Sequence, residues 1–128
     1  MRENLLHADI TEDIIKAFYQ VYNTLGHGFL EKVYENALVI VLRKMGHEVM
    51  QQHPISVYYE NNLVGEYFAD LVIDNKVIIE LKSTKVIDAS HVAQLLNYLK
   101  ATRFEVGLLL NFGEKPEFKR KVFRNDAK

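Results

Sequence analysis

Asp70-Leu71-Val72-Ile73-Asp74-Asn75-Lys76-Val77-Ile78-Ile79-Glu80-Leu81-Lys82 is the stretch whose reading decides the fold. Apolar, β-branched runs on either side of Asp74-Asn75 predict two strands joined by a turn. Asp70, Glu80 and Lys82 stand inside them, and charge in a buried strand is costly unless it is paired or holds a metal. Glu80 and Lys82 are two apart and share one strand face, while Val77, Ile79 and Leu81 point to the other. Whether Asp70 joins them depends on the turn. A two-residue loop, Asp74-Asn75, pairs Asp70 with Ile79 and sends its side chain away from Glu80. A three-residue loop, Asp74-Asn75-Lys76, pairs Asp70 directly with Glu80, and a bulge near Asp70 would also bring the carboxylates together.

Upstream of this hairpin the apolar period is helical. Ile10, Ile14, Ala17, Phe18, Val21, Tyr22 and Leu25 predict a helix over about 10–25, opened by a capping box of Asp9 and Glu12. Gly26-His27-Gly28 breaks it. A second stripe, Leu30, Val33, Tyr34, Ala37, Leu38, Val41, Leu42 and Met45, predicts another helix stopped by Gly46. The period then changes, predicting strands at about 48–59, 63–73 and 77–82, with Pro54 favouring an edge or bulge for the first. A third helix at about 90–102 presents Val92, Leu95, Leu96 and Leu99 on one face. It leads into a strand at 106–111 so apolar that it must be covered on both sides. Lys119–Phe123 adds a short terminal strand. The order α-α-β-β-β-α-β-(β) predicts an α/β fold: one domain over 1–128 with a mixed central sheet flanked by helices.

Composition narrows the function classes. The 128 residues are 48% apolar and 26% charged, with no cysteine, which excludes disulfides and thiolate metal sites and fits a reducing, cytoplasmic compartment. No run reaches the length of a membrane span, and the start of the chain lacks an apolar signal core. The five histidines show no paired zinc spacing, and there is no phosphate-cradling glycine loop or nucleophile elbow. The net charge of −1 makes the whole molecule a poor electrostatic ligand for nucleic acid. Lys115, Lys119, Arg120, Lys121, Arg124 and Lys128 outnumber Glu114, Glu117 and Asp126 at the C-terminus, as a phosphate-binding patch or as an edge strand guarded by charge.

Two carboxylates beside a lysine have a definite chemistry. Mg²⁺ keeps several waters, so Asp70, Glu80 and the carbonyl of Leu81 would suffice as its protein ligands. Lys82 would orient the attacking water or neutralise transition-state charge. The same three side chains also suit ordinary cross-strand salt bridges. Glu31, roughly 70° off the centre of the second helix's apolar stripe, either looks into a site beside the core or simply favours the helix's first turn. Tyr34 reads as core. Gln94 and Tyr98, one turn apart, form with His91 a polar ridge that either binds substrate phosphate or is a solvated helix face.

These motifs in this order resemble the core of the PD-(D/E)XK nuclease superfamily, α-β-β-β-α-β, with an extra N-terminal helix. Gly28, Glu31 and Tyr34 more specifically resemble the GxxExxY family within it. Asp70, Glu80 and Lys82 match its D…ExK motif, and Gln94 and Tyr98 match the Gln-x-x-x-Tyr pattern of RecB-like nucleases. The likeness runs from about residue 10 to 124, with Ala69 where the superfamily pattern has proline. It implies a restriction-endonuclease-like fold, metal ligands at Asp70 and Glu80, a catalytic Lys82 and an auxiliary Glu31. The expected function is hydrolysis of nucleic-acid phosphodiesters, DNA foremost, by a water activated on Mg²⁺ or Mn²⁺, with Gln94 and Tyr98 positioning substrate. A homodimer or protein partner would complete the groove that the neutral charge leaves weak. The alternative is a non-catalytic nuclease-like module that binds nucleic acid or a protein, its acids held in ion pairs.

Overall fold

The computed structural model describes residues 6–128. Two helices, α1 (Ala8–Leu25) and α2 (Glu31–Lys44), precede three strands, β1 (Val49–Tyr59), β2 (Asn62–Ile73) and β3 (Val77–Lys82). Helix α3 (Ala89–Ala101) then crosses over to β4 (Val106–Phe112), and β5 (Pro116–Val122) closes the sheet. The five strands lie in the order β1-β2-β3-β4-β5. Only β3 and β4 are parallel, because only that connection contains a helix long enough to return the chain to the same end of the sheet. The expected order holds. Pro54 lies on an edge strand, where its missing N–H costs no ladder bond, and the basic C-terminal segment forms the opposite edge.

Both faces of the sheet are covered. Helices α1 and α2 lay Ile14, Phe18, Leu38 and Leu42 over Leu71, Ile79, Leu108 and Phe112. On the other face Leu95 and Leu99 of α3 cover Val72, Ile78 and Leu109. Every residue of β4 is buried, which is why its sequence shows no polar alternation. Gly107 lets α3 approach: a Cβ there would sit 2.7 Å from Leu95 Cδ1.

Three local structures set where these elements end. Gly26 and Gly28, both at positive φ, turn the chain from α1 to α2. Tyr34 locks that turn by donating to the Gly26 carbonyl (2.7 Å) and accepting the Phe29 N–H (3.2 Å). The expected Asp9–Glu12 capping box does not form. His7, in a left-handed conformation with no side-chain cap bond, is the N-cap, and Asp9 falls inside the first turn. A capping box forms instead on α3, where Asp88 accepts the Ser90 and His91 N–H groups and His91 returns the bond.

His47 is the third. Its Nδ1 lies 2.6 Å from Asp74 Oδ2 and its Nε2 2.7 Å from Asp13 Oδ2, tying α1 to the β2–β3 loop. Burial works to lower its pKa, but the two hydrogen-bonded carboxylates outweigh burial and raise it. The loop that His47 anchors has three residues, with Ile73 paired to Val77. Asp74 and Asn75 take left-handed φ of 53° and 56°, and Lys76 N–H donates to the Ile73 carbonyl. Asn and Asp tolerate that conformation better than most residues, which suits both positions to the turn.

Candidate active site

The three-residue loop sets the register Ile73–Val77, Val72–Ile78 and Leu71–Ile79, and its continuation places Asp70 opposite Glu80. There the backbone ladder stops and β2 parts from β3. The two carboxylates take over as acceptors. Asp70 N–H donates to Glu80 Oε2 and Leu81 N–H donates to Asp70 Oδ2, each at 2.8 Å. The acids thereby fix one another at the mouth of the splayed strands.

Two residues missed in the sequence reading complete the cluster. Glu35, only 3% exposed, accepts bonds from Lys32 Nζ (2.9 Å), Gln51 Nε2 (2.8 Å) and Gln52 Nε2 (2.9 Å). Gln52 Nε2 also approaches Asp70 Oδ1 at 3.5 Å. Gln52 can do this because its φ of 51° breaks the strand's alternation. Val49 packs beneath α1 and α2, whereas His53 and Ile55, which regular alternation would keep on the same face, turn toward α3. The paired strand switches at the same level: Ala69 belongs to the α3 cluster and Leu71 to the α1–α2 cluster. No residue type at 52 announces this, since glutamine is not a turn former.

A left-handed non-glycine residue costs roughly 1–2 kcal/mol. Gln52→Gly should therefore be more stable than Gln52→Ala by about 1 kcal/mol, both having lost the amide, as read from denaturant midpoints. Equal midpoints would mean that the kink carries no strain.

The helix face also differs from the expected one. The buried residues of α2 are Tyr34, Glu35, Leu38, Val39 and Leu42, so the buried arc is rotated by roughly 80° from the predicted stripe. Leu30 and Val33 are exposed instead. Glu31 and Glu35, one turn apart, both fall near the middle of the true arc. Glu31 is exposed at the start of α2, and its charge acts on both Asp70 and Glu80. A buried arc that includes Val39 was the signal that could have found Glu35.

Electrostatics single out the pair. Burial, then the charge of Asp70, pushes the carboxyl of Glu80 up to about 8, against the lowering effects of the Asp70 N–H and Lys82. Burial likewise raises Asp70, with Glu35 and Glu31 adding to it and the Leu81 N–H and Gln52 opposing. Lys82 is half-buried and forms no ion pair with either acid among the described residues. On α3, Gln94 Nε2 donates to Tyr98 Oη at 3.1 Å. Tyr98 is not part of a solvated ridge: it is 6% exposed and packs with Leu95 and Leu99, while His91 is occupied in the helix cap. Burial, then the charges of Glu80 and Asp70, holds the Tyr98 hydroxyl up at about 12, so it stays protonated beside the acids.

A family model of the PD-(D/E)XK nuclease superfamily matches residues 8–122. The chain belongs to that superfamily. Its α/β fold, three helices on a mixed five-stranded sheet, is the restriction-endonuclease-like core of PD-(D/E)XK proteins. The crystal structure of SSO0001 is similar in fold, with a TM-score of 0.56 and 19% identity over 75% of this chain. The chain spans 52% of that protein's length. No curated protein matches it.

PD-(D/E)XK nucleases typically use a divalent metal, and the donor set here can be tested against one. Among the described residues no three Asp, Glu or His side chains form a ready-made metal cage. Mg²⁺ needs none, since one or two carboxylates, water and substrate phosphate satisfy it. The mutual bonds occupy one oxygen of each acid, Asp70 Oδ2 and Glu80 Oε2, and no hydrogen bond among the described residues engages Glu80 Oε1. Two neighbouring acids whose carboxyls burial holds above their ordinary range, with Glu80 Oε1 unengaged and Asp70 Oδ1 approached only by Gln52 at 3.5 Å, fit a hard cation.

Proposed function

We propose that residues 1–128 form one nuclease domain of the GxxExxY type that hydrolyses nucleic-acid phosphodiester bonds, DNA foremost, with Mg²⁺ or Mn²⁺. The observation that carries this reading is the reciprocal bonding of Asp70 and Glu80 where β2 and β3 part, with Lys82 on the same strand face as Glu80. Asp70, Glu80 and the Leu81 carbonyl hold the ion, which when bound supplies Lewis-acid stabilisation and a more acidic water. Lys82 donates hydrogen bonds that orient the attacking water and offset charge gathering on the phosphoryl oxygens. Glu31 accepts from water at the rim of the site. Glu35 acts through Gln52 to fix the Asp70 carboxylate, and Gln94 and Tyr98 present N–H and O–H donors to substrate phosphate.

The test is cleavage of single- and double-stranded DNA and RNA with Mg²⁺ or Mn²⁺ by the purified protein beside Lys82→Ala and Asp70→Ala. The unaltered protein should cleave, and each variant should fall by roughly a hundredfold or more, the scale of several kcal/mol of transition-state stabilisation. Equal cleavage by all three would identify a contaminant. No cleavage at high protein concentration would overturn the enzyme in favour of a binding module.

A further inference from the structure

Beyond the level where β2 leaves β3, the β1–β2 hairpin runs on as a two-stranded arm, and α3 lies alongside it. Between them is a groove of about 760 Å³. Its position ties it to the acid pair, because Gln94 and Tyr98 line it and Tyr98 packs in the same core cluster as Ala69, the residue before Asp70. Tyr58 and Tyr67, from the two strands of the arm, also line the groove. Both are exposed, at 64% and 48%, although each is large enough to be buried in a domain of this size. The rings of Tyr67 and Tyr98 lie 5.7 Å apart, tilted at 42° to one another, so Tyr98 backs the exposed Tyr67 ring. Asn97 adds an amide, and Lys100 is the single cation among the lining residues.

Those groups do not suit a duplex. Double-stranded DNA presents two rails of phosphate and is held by several cations. The exposed rings of Tyr58 and Tyr67 and two amides suit bases turned out of a stack: aromatic rings take base faces, and Gln and Asn amides take base edges. We propose that this groove binds a single-stranded segment of nucleic acid, its bases stacked on Tyr58 and Tyr67, and feeds its backbone toward Asp70 and Glu80. The assignment deepens the nuclease reading, and rests on it only in requiring that a strand reach the acid pair. It also answers the near-neutral charge of the chain, because stacking replaces much of the affinity that a basic channel would supply.

Binding is measured by fluorescence anisotropy in EDTA, where no metal-dependent cleavage takes place. The probes are a mixed-sequence single-stranded oligodeoxynucleotide, the matched duplex, and an abasic strand of equal length and phosphate count. The protein should bind the natural single strand roughly tenfold or more tightly than either of the others. Tyr58→Ala and Tyr67→Ala should each weaken single-strand binding by roughly tenfold and leave the abasic strand unchanged, while Tyr67→Phe, which keeps the ring, restores it. Equal affinity for natural and abasic strands, a preference for the duplex, or no loss in the alanine variants overturns the assignment. Base-dependent binding by a protein that fails to cleave with Mn²⁺ upholds the groove and ends the nuclease reading alone. Duplex cleavage with base-independent binding does the reverse.

Discussion

Glu80→Gln should lower cleavage by roughly a hundredfold or more while making the metal-free protein more resistant to unfolding at alkaline pH. The two effects share one cause. Glu80 is 6% exposed, and burial together with Asp70 raises its carboxyl from the ordinary 4.5 to about 8. Between those values the folded protein holds a proton that the unfolded chain has released. Stability therefore falls as pH rises through that window and levels off above about 8, by an amount on the order of a few kcal/mol. The raised pKa of Asp70 acts in the same direction. Glutamine mimics the protonated acid, and its side-chain oxygen can still accept the Asp70 N–H. In thermal melts with EDTA, the variant should melt higher than the unaltered protein at pH 8.5 and lose less between pH 5.5 and 8.5. Saturating Mn²⁺ at pH 8.5 should raise the melting temperature of the unaltered protein and leave that of the variant almost unmoved. Identical pH slopes for the two proteins would mean that Glu80 is not the group taking up the proton.

Tyr34→Ala should be the most destabilising single change at the α1–α2 junction. The side chain is fully buried and stacks on Phe112 with ring centroids 4.1 Å apart at 15°. Truncation opens a cavity of the kind that costs about 3–5 kcal/mol for a large aromatic. It also strips the Gly26 carbonyl and the Phe29 N–H of their hydroxyl partner. Against a total stability of roughly 5–15 kcal/mol for a small domain, that is enough to leave much of the protein unfolded on warming. Tyr34→Phe keeps the ring and loses only the hydroxyl, for about 1–3 kcal/mol. Urea midpoints separate the two. A phenylalanine variant that is folded and fully active assigns Tyr34 to the scaffold, whereas one that is folded and inactive gives its hydroxyl a part in the chemistry.

Where the sequence could be read, a period or a parity carried the information. The turn at Asp74-Asn75 is legible because two residues that tolerate left-handed φ stand together. The same pair suits a two-residue loop as well as a three-residue one, and only the Ile73–Val77 pairing decides that Asp70 meets Glu80. Helix order and the almost wholly apolar β4 follow from equally regular patterns. The rest depends on irregularities. The left-handed Gln52 exchanges the faces of β1 without a glycine or asparagine to mark it. Burial of Glu35 follows from the angle at which α2 meets the sheet, and Leu38 and Val39 fix that angle only after packing. Tyr98 has the spacing of a surface ridge yet is drawn into the α3 core, because Leu95 and Leu99 flank it on the face that meets the sheet.

The β2–β3 loop has a consequence for how this chain can vary. Loops at the rim of a sheet are where insertions and deletions are ordinarily absorbed at little cost, and nothing in this loop touches the acid pair. Yet removing one residue would shift β3 by one position against β2 and set Asp70 opposite Ile79 in place of Glu80. The residues of the loop can be exchanged only within the limits that left-handed φ and the Asp74–His47 bond impose. Its length is tied to the pairing of Asp70 with Glu80.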